Sequence, residues 1–238
     1  KISLVFDIYE GDKITVEKIN ILGNNITNEE VVRSELSLDE GDPFTEIKLD
    51  KSIANIKSRR IFRTVNKEVK NGSSKNLKVI DIRVEEQPTG EISAGAGFGT
   101  AGSSFAFNVQ ENNWLGQGIK IGAELDLSEE SVKGGLSYTN PNYDLLGNSL
   151  TYNVSSTKND KPDQGYENSI ITAGIGTGFE QYKDIFTNLY LFASHDDLRT
   201  NSSASSSLKK QKGKFSEFAG EYKLTYDQRN RKFAPTDG

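Results

Sequence analysis

The sequence predicts an α+β domain of order β-α-α-β-β, followed by an antiparallel transmembrane β-barrel sheet of about eight strands. Three observations carry this. Between Gly90 and Tyr226, eight stretches alternate apolar and polar residues, the period of a strand with one greasy and one wet face. In the clearest of them the apolar parity holds no charge, as lipid outside and a watery lumen inside require. Composition also changes at Gln87-Pro88-Thr89-Gly90, from mixed helix and strand patterns to strands rich in glycine, serine and asparagine.

In the first part, Lys13 to Leu22 alternates and ends at the turn Gly23-Asn24-Asn25. Thr27 and Glu30 have capping-box spacing, which predicts a short helix through Leu36. Gly41-Asp42-Pro43 breaks the chain and predicts a second helix with proline near its first turn. Leu49, Ile53 and Ile56 then share one helical face. Phe62 to Val69 and Leu77 to Val84 form a hairpin across Asn71-Gly72. A domain of about 75 residues has a small core and modest stability.

In the second part, strands are expected near 90–99, 102–111, 117–127, 131–139, 148–156, 168–179, 185–194 and 215–226. Ile119, Ile121, Ala123, Leu125 and Leu127 oppose Lys120, Glu124 and Asp126; Phe105, Phe107 and Val109 oppose Ser104, Asn108 and Gln110. Val132, Leu136 and Tyr138 form a third such face, and Phe218, Tyr222, Leu224 and Tyr226 a fourth. Lengths near ten suit a tilted membrane crossing. Connections 112–117, 140–147 and 180–184 are short; 157–167 and 195–214 are long and polar, with short exceptions near 100–102 and 128–130. Trp114, Tyr138, Tyr143, Phe179, Tyr182 and Tyr226 fall at strand ends on the short-turn side, an aromatic girdle. From Asp184 to His195 both parities are apolar, Phe186, Tyr190 and Phe192 against Ile185, Leu189 and Leu191. That pattern leaves the lipid side of the strand open.

The 238 residues carry a net charge of −5 and no cysteine. No basic footprint argues for nucleic acid, and disulfides and thiol chemistry are excluded. No apolar run approaches the ~18 residues of a membrane helix. The chain has no methionine and opens inside a strand-like run, Ile2 to Ile8, so it reads as an internal piece of a longer secreted precursor. No nucleophile elbow, P-loop or cysteine–histidine constellation is present. Glu124, Asp126, Glu217 and Glu221, with Lys120, Lys133 and Lys223, read as a hydrated charge network on a lumen face rather than a catalytic cluster. His195, the only histidine, opens a polar loop beside Asp196-Asp197, too few ligands for a metal. No enzyme activity, cofactor or metal is expected.

Several motifs then occur in order. They are Ile19-Asn20-Ile21-Leu22-Gly23-Asn24, Arg33-Ser34-Glu35, Glu40-Gly41-Asp42, Phe62-Arg63-Thr64-Val65 and Glu86-Gln87-Pro88-Thr89-Gly90. After them come Gly95-Ala96-Gly97-Phe98-Gly99, Asn113-Trp114-Leu115-Gly116-Gln117-Gly118, Thr139-Asn140-Pro141 and Pro235-Thr236-Asp237-Gly238. Each is weak alone. Together they resemble the BamA family of outer-membrane β-barrel assembly factors, with the junction closest to alphaproteobacterial members.

The resemblance implies that residues 1–10 end one POTRA domain, 11–88 form the membrane-proximal POTRA domain, and 89–238 are the first half of a sixteen-stranded barrel. It implies residence in the bacterial outer membrane with the POTRA part in the periplasm, and folding and insertion of unfolded outer-membrane proteins as the activity. Outer-membrane lipid and further assembly subunits would be partners, and Arg33 and Glu35 match positions that contact a BamD-like lipoprotein. The first barrel strand, Glu91, Ile92, Ser93, Ala94, Gly95, Ala96, Gly97, Phe98 and Gly99, would form a weakly closed lateral seam able to template an incoming strand. The plainer reading of its small residues is relief of lumen crowding.

One departure stands out. Arg59-Arg60 occupies a place where the family often carries Leu-Gly, so the helix end is expected to differ. Two other functions remain open: a two-partner-type secretion pore exporting polypeptide through the lumen, and a soluble β-rich binding protein whose apolar face is buried.

Overall fold

The computed structural model of the chain describes residues 12–99, 102–144, 146–229, 236 and 238. The expected tail of a preceding POTRA domain at 1–10, and Pro235 and Asp237 of the closing motif, lie outside them. The chain divides into two compact units: residues up to Asn25 with Glu35–Gln87, and Ile26–Ser34 with Pro88–Gly238.

The first unit is a three-stranded sheet with a helix on one face. Strand β1 (Thr15–Leu22) runs parallel to β3 (Leu77–Glu86), which pairs antiparallel with β2 (Phe62–Asn71), giving the order β1-β3-β2. Between β1 and β2 lie α1 (Glu29–Arg33), which belongs to the second unit, and α2 (Glu46–Ser58), which packs on β2. Leu49, Ile53 and Ile56 are buried as the helical spacing predicts, and they join Val16, Ile19, Ile61, Val65, Ile80, Ile82 and Val84 in the core.

Both helix starts differ from expectation. The capping box does not form. The N-cap of α1 is Asn28, which makes no side-chain capping bond, and the Thr27 hydroxyl instead accepts from Asn113 Nδ2. Helix α2 begins beyond Pro43, because that proline bridges Thr15 and the Phe44 N–H donates to the Ile14 carbonyl. The segment is thus held extended until Thr45, whose hydroxyl accepts from the Lys48 N–H as the N-cap. The end of α2 answers the Arg59-Arg60 departure. Arg60 takes the left-handed turn that favours glycine (φ 58°). Its carbonyl accepts from Gln87 Nε2 (2.9 Å), and the Gln87 N–H donates to the Ile61 carbonyl.

The second unit is an eight-stranded antiparallel meander. Its strands are β4 (Gly90–Gly99), β5 (Gly102–Trp114), β6 (Ile119–Ser128), β7 (Ser131–Asn140), β8 (Ser149–Lys161), β9 (Tyr166–Tyr182), β10 (Ile185–Thr200) and β11 (Gly213–Tyr226). Each pairs with its sequence neighbour. Directly paired residues share a face, so the ladder can be followed across the sheet. Ile92, Val109, Ala123, Leu136, Val154, Ala173, Ala193 and Phe218 form one continuous row. The row below it holds Tyr152, Ile175, Leu191 and Gly220.

This register assigns the strand whose alternation was ambiguous. Leu189 stands opposite Tyr222, and Ile185 opposite Tyr226, so they lie on the apolar face. Tyr190 and Phe192 lie on the polar face, stacked at 5.9 Å between ring centroids. The Tyr190 ring lies over Gly174 and Gly176, where an added Cβ would overlap the ring, and Asn153 Nδ2 reaches its hydroxyl at 3.5 Å. An aromatic side chain fits the wet face because the neighbouring strand has no side chains there.

Of the segments 157–167 and 195–214, both expected as long loops, the first is mostly strand and the second is strand at its two ends. β8 runs on to Lys161, a 3-10 turn covers Pro162–Gln164, β10 runs to Thr200, and only the stretch before β11 is irregular apart from α3 (Ser206–Gln211). The apolar alternation stops at Ser156, Ile171 and Ala193, but backbone pairing continues. Lys158–Glu167 (2.9 Å) and Arg199–Asp197 (2.8 Å) ion pairs replace apolar contacts above it. A strand that has left lipid is wet on both sides and loses its binary pattern while keeping its ladder.

Candidate functional site

β4 and β11 are the two edges of the sheet among the described residues. β4 pairs with β5 through ten consecutive partners, Gly90 opposite Glu111 to Gly99 opposite Gly102. Every second residue of such a strand turns its N–H and C=O away from its single neighbour. Nearly all of β4 is exposed. Gly95, Gly97 and Gly99 lie on the polar face, and Ile92, Ala94, Ala96 and Phe98 on the apolar one. A Cβ at Gly95 or Gly99 would meet nothing within 4 Å among the described residues. Crowding in this half of the sheet therefore does not explain those glycines. What they do provide is a flat, side-chain-free strip beside the open backbone edge.

The apolar face is continuous and exposed. Ile92, Phe105, Leu125, Leu136, Val154, Ile175, Leu191, Phe218 and Leu224 are all exposed on it, so no sealed interior collects them. That excludes the soluble alternative, whose apolar face would be buried. Along this face charges appear only at the margins: Glu111 on the short-turn side, and Lys158, Asp160, Glu167, Asp197, Arg199 and Lys214 on the other. Tyr138, Phe179 and Tyr226 stand on this face toward the short-turn margin, with Trp114, Tyr143 and Tyr182 exposed at the same end. On the polar face Lys133 pairs with Glu124 (2.8 Å) and approaches Asp126 (4.0 Å). Glu217, Glu221 and Lys223 share that face on β11. His195 lies within β10, not in a loop, with Nδ1 3.0 Å from Ser216 Oγ. Among the described residues no three acidic, histidine or cysteine side chains are grouped to hold a metal.

The structure separates the two residues matched to a partner contact. Arg33 pairs with Glu29 across one helical turn (2.6 Å) in the open. Glu35 Oε1 receives Arg59 Nη1 at 3.1 Å, and the two side chains are only 15% and 10% exposed. Burial pushes the Arg59 guanidinium below its ordinary value, and Glu35 opposes that shift. Glu35 is thus a fold-holding carboxylate, and Arg59, the first of the two adjacent arginines, supplies its counter-charge.

Sequence reasoning missed a third feature. β5 carries one extra residue relative to β6 between Glu111 and Trp114, a bulge at Asn112-Asn113. Asn113 is 9% exposed. The available signal was the loss of alternation after Val109 followed by two adjacent asparagines.

Comparison with known proteins agrees with this architecture. A family model described as the Omp85 superfamily domain matches residues 113–238, and one described as POTRA, surface antigen variable number repeat, matches 14–87. The outer membrane protein assembly factor BamA of Neisseria meningitidis serogroup B is 31% identical over 155 residues, covering 64% of this chain and 19% of that protein. The crystal structure of BamA from Haemophilus ducreyi lacking POTRA domains 1–3 superposes with a TM-score of 0.73 at 24% identity, over 96% of this chain and 47% of that one. CdiB from Escherichia coli gives 0.58 at 14% identity, over 90% and 42%. At these identities the two structural likenesses concern the fold alone. The chain spans about a fifth of the length of the curated relatives it matches.

Proposed function

The chain belongs to the Omp85 superfamily, with a POTRA domain ahead of an outer-membrane barrel sheet, and from that premise we propose that it is the strand-templating part of an outer-membrane β-barrel assembly factor. Unfolded outer-membrane proteins are the substrates. The exposed edge of β4 offers amides and carbonyls to an incoming strand, which pairs there and passes sideways into lipid. No chemical step and no cofactor enter this reading; pairing of backbone groups and burial of the client's apolar face supply the driving force. Further assembly subunits dock on the POTRA part, and exposed Arg33 is the stronger of the two candidate contacts, because Glu35 is held by Arg59.

The observation that carries the proposal is the edge itself: ten residues paired on one side only, with a glycine strip in which a Cβ at Gly95 or Gly99 would meet nothing in the described sheet and one at Gly97 would meet only the Ser104 hydroxyl. These 238 residues hold no cysteine, so a single thiol introduced along 92–98 reports without background from this part of the protein. In the full-length, functional protein such thiols should trap client strands in register, every second position reacting best. If no position from 92 to 98 ever traps a client while insertion proceeds, templating at β4 is wrong.

A further inference from the structure

The bulge at Asn112-Asn113 joins two segments far apart in sequence, and both lie in the second unit. On one side, Asn113 Nδ2 donates to Thr27 Oγ1 at 2.9 Å, and Asn113 Oδ1 accepts from the Gly118 N–H at 2.7 Å. Thr27 is 2% exposed. The Asn28 N–H donates to the Gly116 carbonyl (2.8 Å). Gly116 is left-handed (φ 72°), and a Cβ on it would overlap the Ile26 carbonyl. The backbone at 26–28 therefore rests directly on the turn after β5. A second tie, from Asn142 Nδ2 to Ser34 Oγ (2.9 Å), holds the far end of the same segment.

On the other side, the bulge holds the start of the edge strand. The Asn112 N–H and Nδ2 both donate to the Thr89 carbonyl, at 3.2 and 3.1 Å. Glu111 Oε1 accepts from Thr89 Oγ1 (2.5 Å) and from the Asn113 N–H (2.6 Å). Thr89 immediately precedes β4. A regular strand would send adjacent side chains to opposite faces. The bulge instead lets consecutive residues serve two different segments in the plane of the strand end. Thr27, Asn113, Glu111, Asn112 and Thr89 thus form one hydrogen-bonded chain from the α1 segment to the base of β4.

We propose that Asn112 and Asn113 are positioning residues, a clamp through which the Ile26–Ser34 segment fixes the base and the register of β4. This rests on the templating role of that strand and adds its control: whatever engages α1, where exposed Arg33 sits, bears on the edge that receives clients. Register matters because a template displaced by one residue presents the wrong face to lipid.

The test is amide hydrogen exchange on the full-length protein in phospholipid vesicles, with client cross-linking at Ile92→Cys as a second readout. Asn113→Ala should speed exchange at Glu91–Ser93 about tenfold, as loss of a buried hydrogen-bonded side chain does, leave β10 amides unchanged, and lower cross-linking several-fold. Thr27→Val keeps the shape and removes the hydroxyl, and it should act the same way. The double variant should exchange no faster than Asn113→Ala alone, since both break one linkage.

Exchange at 91–93 that stays at the wild-type rate, while amides at 26–31 speed up, would overturn the clamp. Should Asn113→Ala also loosen β10, Thr27→Val decides: faster exchange confined to the base of β4 supports the clamp, and no change there overturns it. The two proposals fail separately. Shifted exchange without any client cross-link at β4 sinks the templating role alone. Cross-links with unshifted exchange sink the clamp alone.

Discussion

Consider Glu35→Ala. The substitution takes the carboxylate from an arginine whose side chain is 10% exposed. Exposed pairs are worth about 0–1 kcal/mol. Removing one member of a buried pair costs about 3–5 kcal/mol, chiefly because the remaining charge stays out of water. The residual exposure of both partners places Glu35→Ala at the low end, about 3 kcal/mol. A domain of about 75 residues has roughly 4–11 kcal/mol in total, so one substitution removes a large share. Hydrogen exchange of the α2 amides around Leu49 and Ile56 in the intact protein measures this directly, because core amides there exchange through opening of the domain. At 1.36 kcal/mol per tenfold, exchange should rise by roughly a hundredfold. Glu35→Leu with Arg59→Met should restore most of the protection, as apolar replacement of a buried pair does. A rise of less than about fivefold in Glu35→Ala (about 1 kcal/mol) would mean the pair is effectively solvated, and the reasoning fails. The result also bears on function. Charge reversal at Arg33 should weaken partner binding without touching α2 exchange, whereas loss of binding in Glu35→Ala would trace to the fold.

Other outcomes follow from the same geometry. Ala123→Arg on the apolar face should lower barrel stability in lipid by about 2–4 kcal/mol, while Asn108→Arg on the polar face should cost less than 1, both read by urea titration in vesicles; equal costs would refute the face assignment. Gly174→Ala drives a methyl into the Tyr190 ring and should cost about 1–3 kcal/mol, much of it recovered by adding Tyr190→Ala; additive costs would show that the ring is not seated there. Asp81 is held below the usual carboxylate range, first by its bond from Asn20 (2.8 Å) and then by Lys70 (2.6 Å). Because its folded pKa is depressed, its contribution is complete above the unfolded value near ~3.9 and is lost as pH falls below it. Protection of the β1–β3 amides should therefore begin to drop as pH falls below ~3.9 in the wild type and show no such step at that site in Asp81→Asn.

The legible parts of the sequence are those where one physical rule acts alone. β6 alternates strictly because one face must be free of charge and the other meets water, and its observed span differs from the expected one by a residue or two. α2 announces its buried stripe through Leu49, Ile53 and Ile56. Illegibility begins where two rules compete. Thr27 and Glu30 have capping-box spacing, but the Thr27 hydroxyl is taken by Asn113, 86 residues away, and no local pattern records that competitor. β10 has apolar residues on both parities because its polar face borrows space from Gly174 and Gly176 on the next strand, so only the register distinguishes Leu189 from Tyr190. The extensions of β8 to β10 look like loops because the binary pattern reports solvent, not pairing.

The same competition explains why the candidate site was half visible. Glycines along β4 are conspicuous in the sequence, yet a glycine strip describes only what a strand lacks. Its meaning depends on the neighbours, and the structure adds two facts about them: nothing packs against Gly95 or Gly99, and the base of the strand is held by side chains from a bulge. A template must be open enough to pair with a stranger and fixed enough to dictate register. Small residues and a free edge supply the first property. The hydrogen bonds that Asn112 donates to Thr89 and that Glu111 accepts from it supply the second, at the end of the strand, where they leave its edge unobstructed. An edge with the glycines but without the clamp would pair promiscuously and slip; one with the clamp but with bulky residues at 95, 97 and 99 would hold its register and lose its flat approach. Asn113→Ala and Gly97→Val should therefore fail in different ways, the first losing the alternation of client cross-links along 92–98 and the second keeping that alternation at lower yield. Identical cross-link patterns in the two variants would show that openness and register are not separable at this edge.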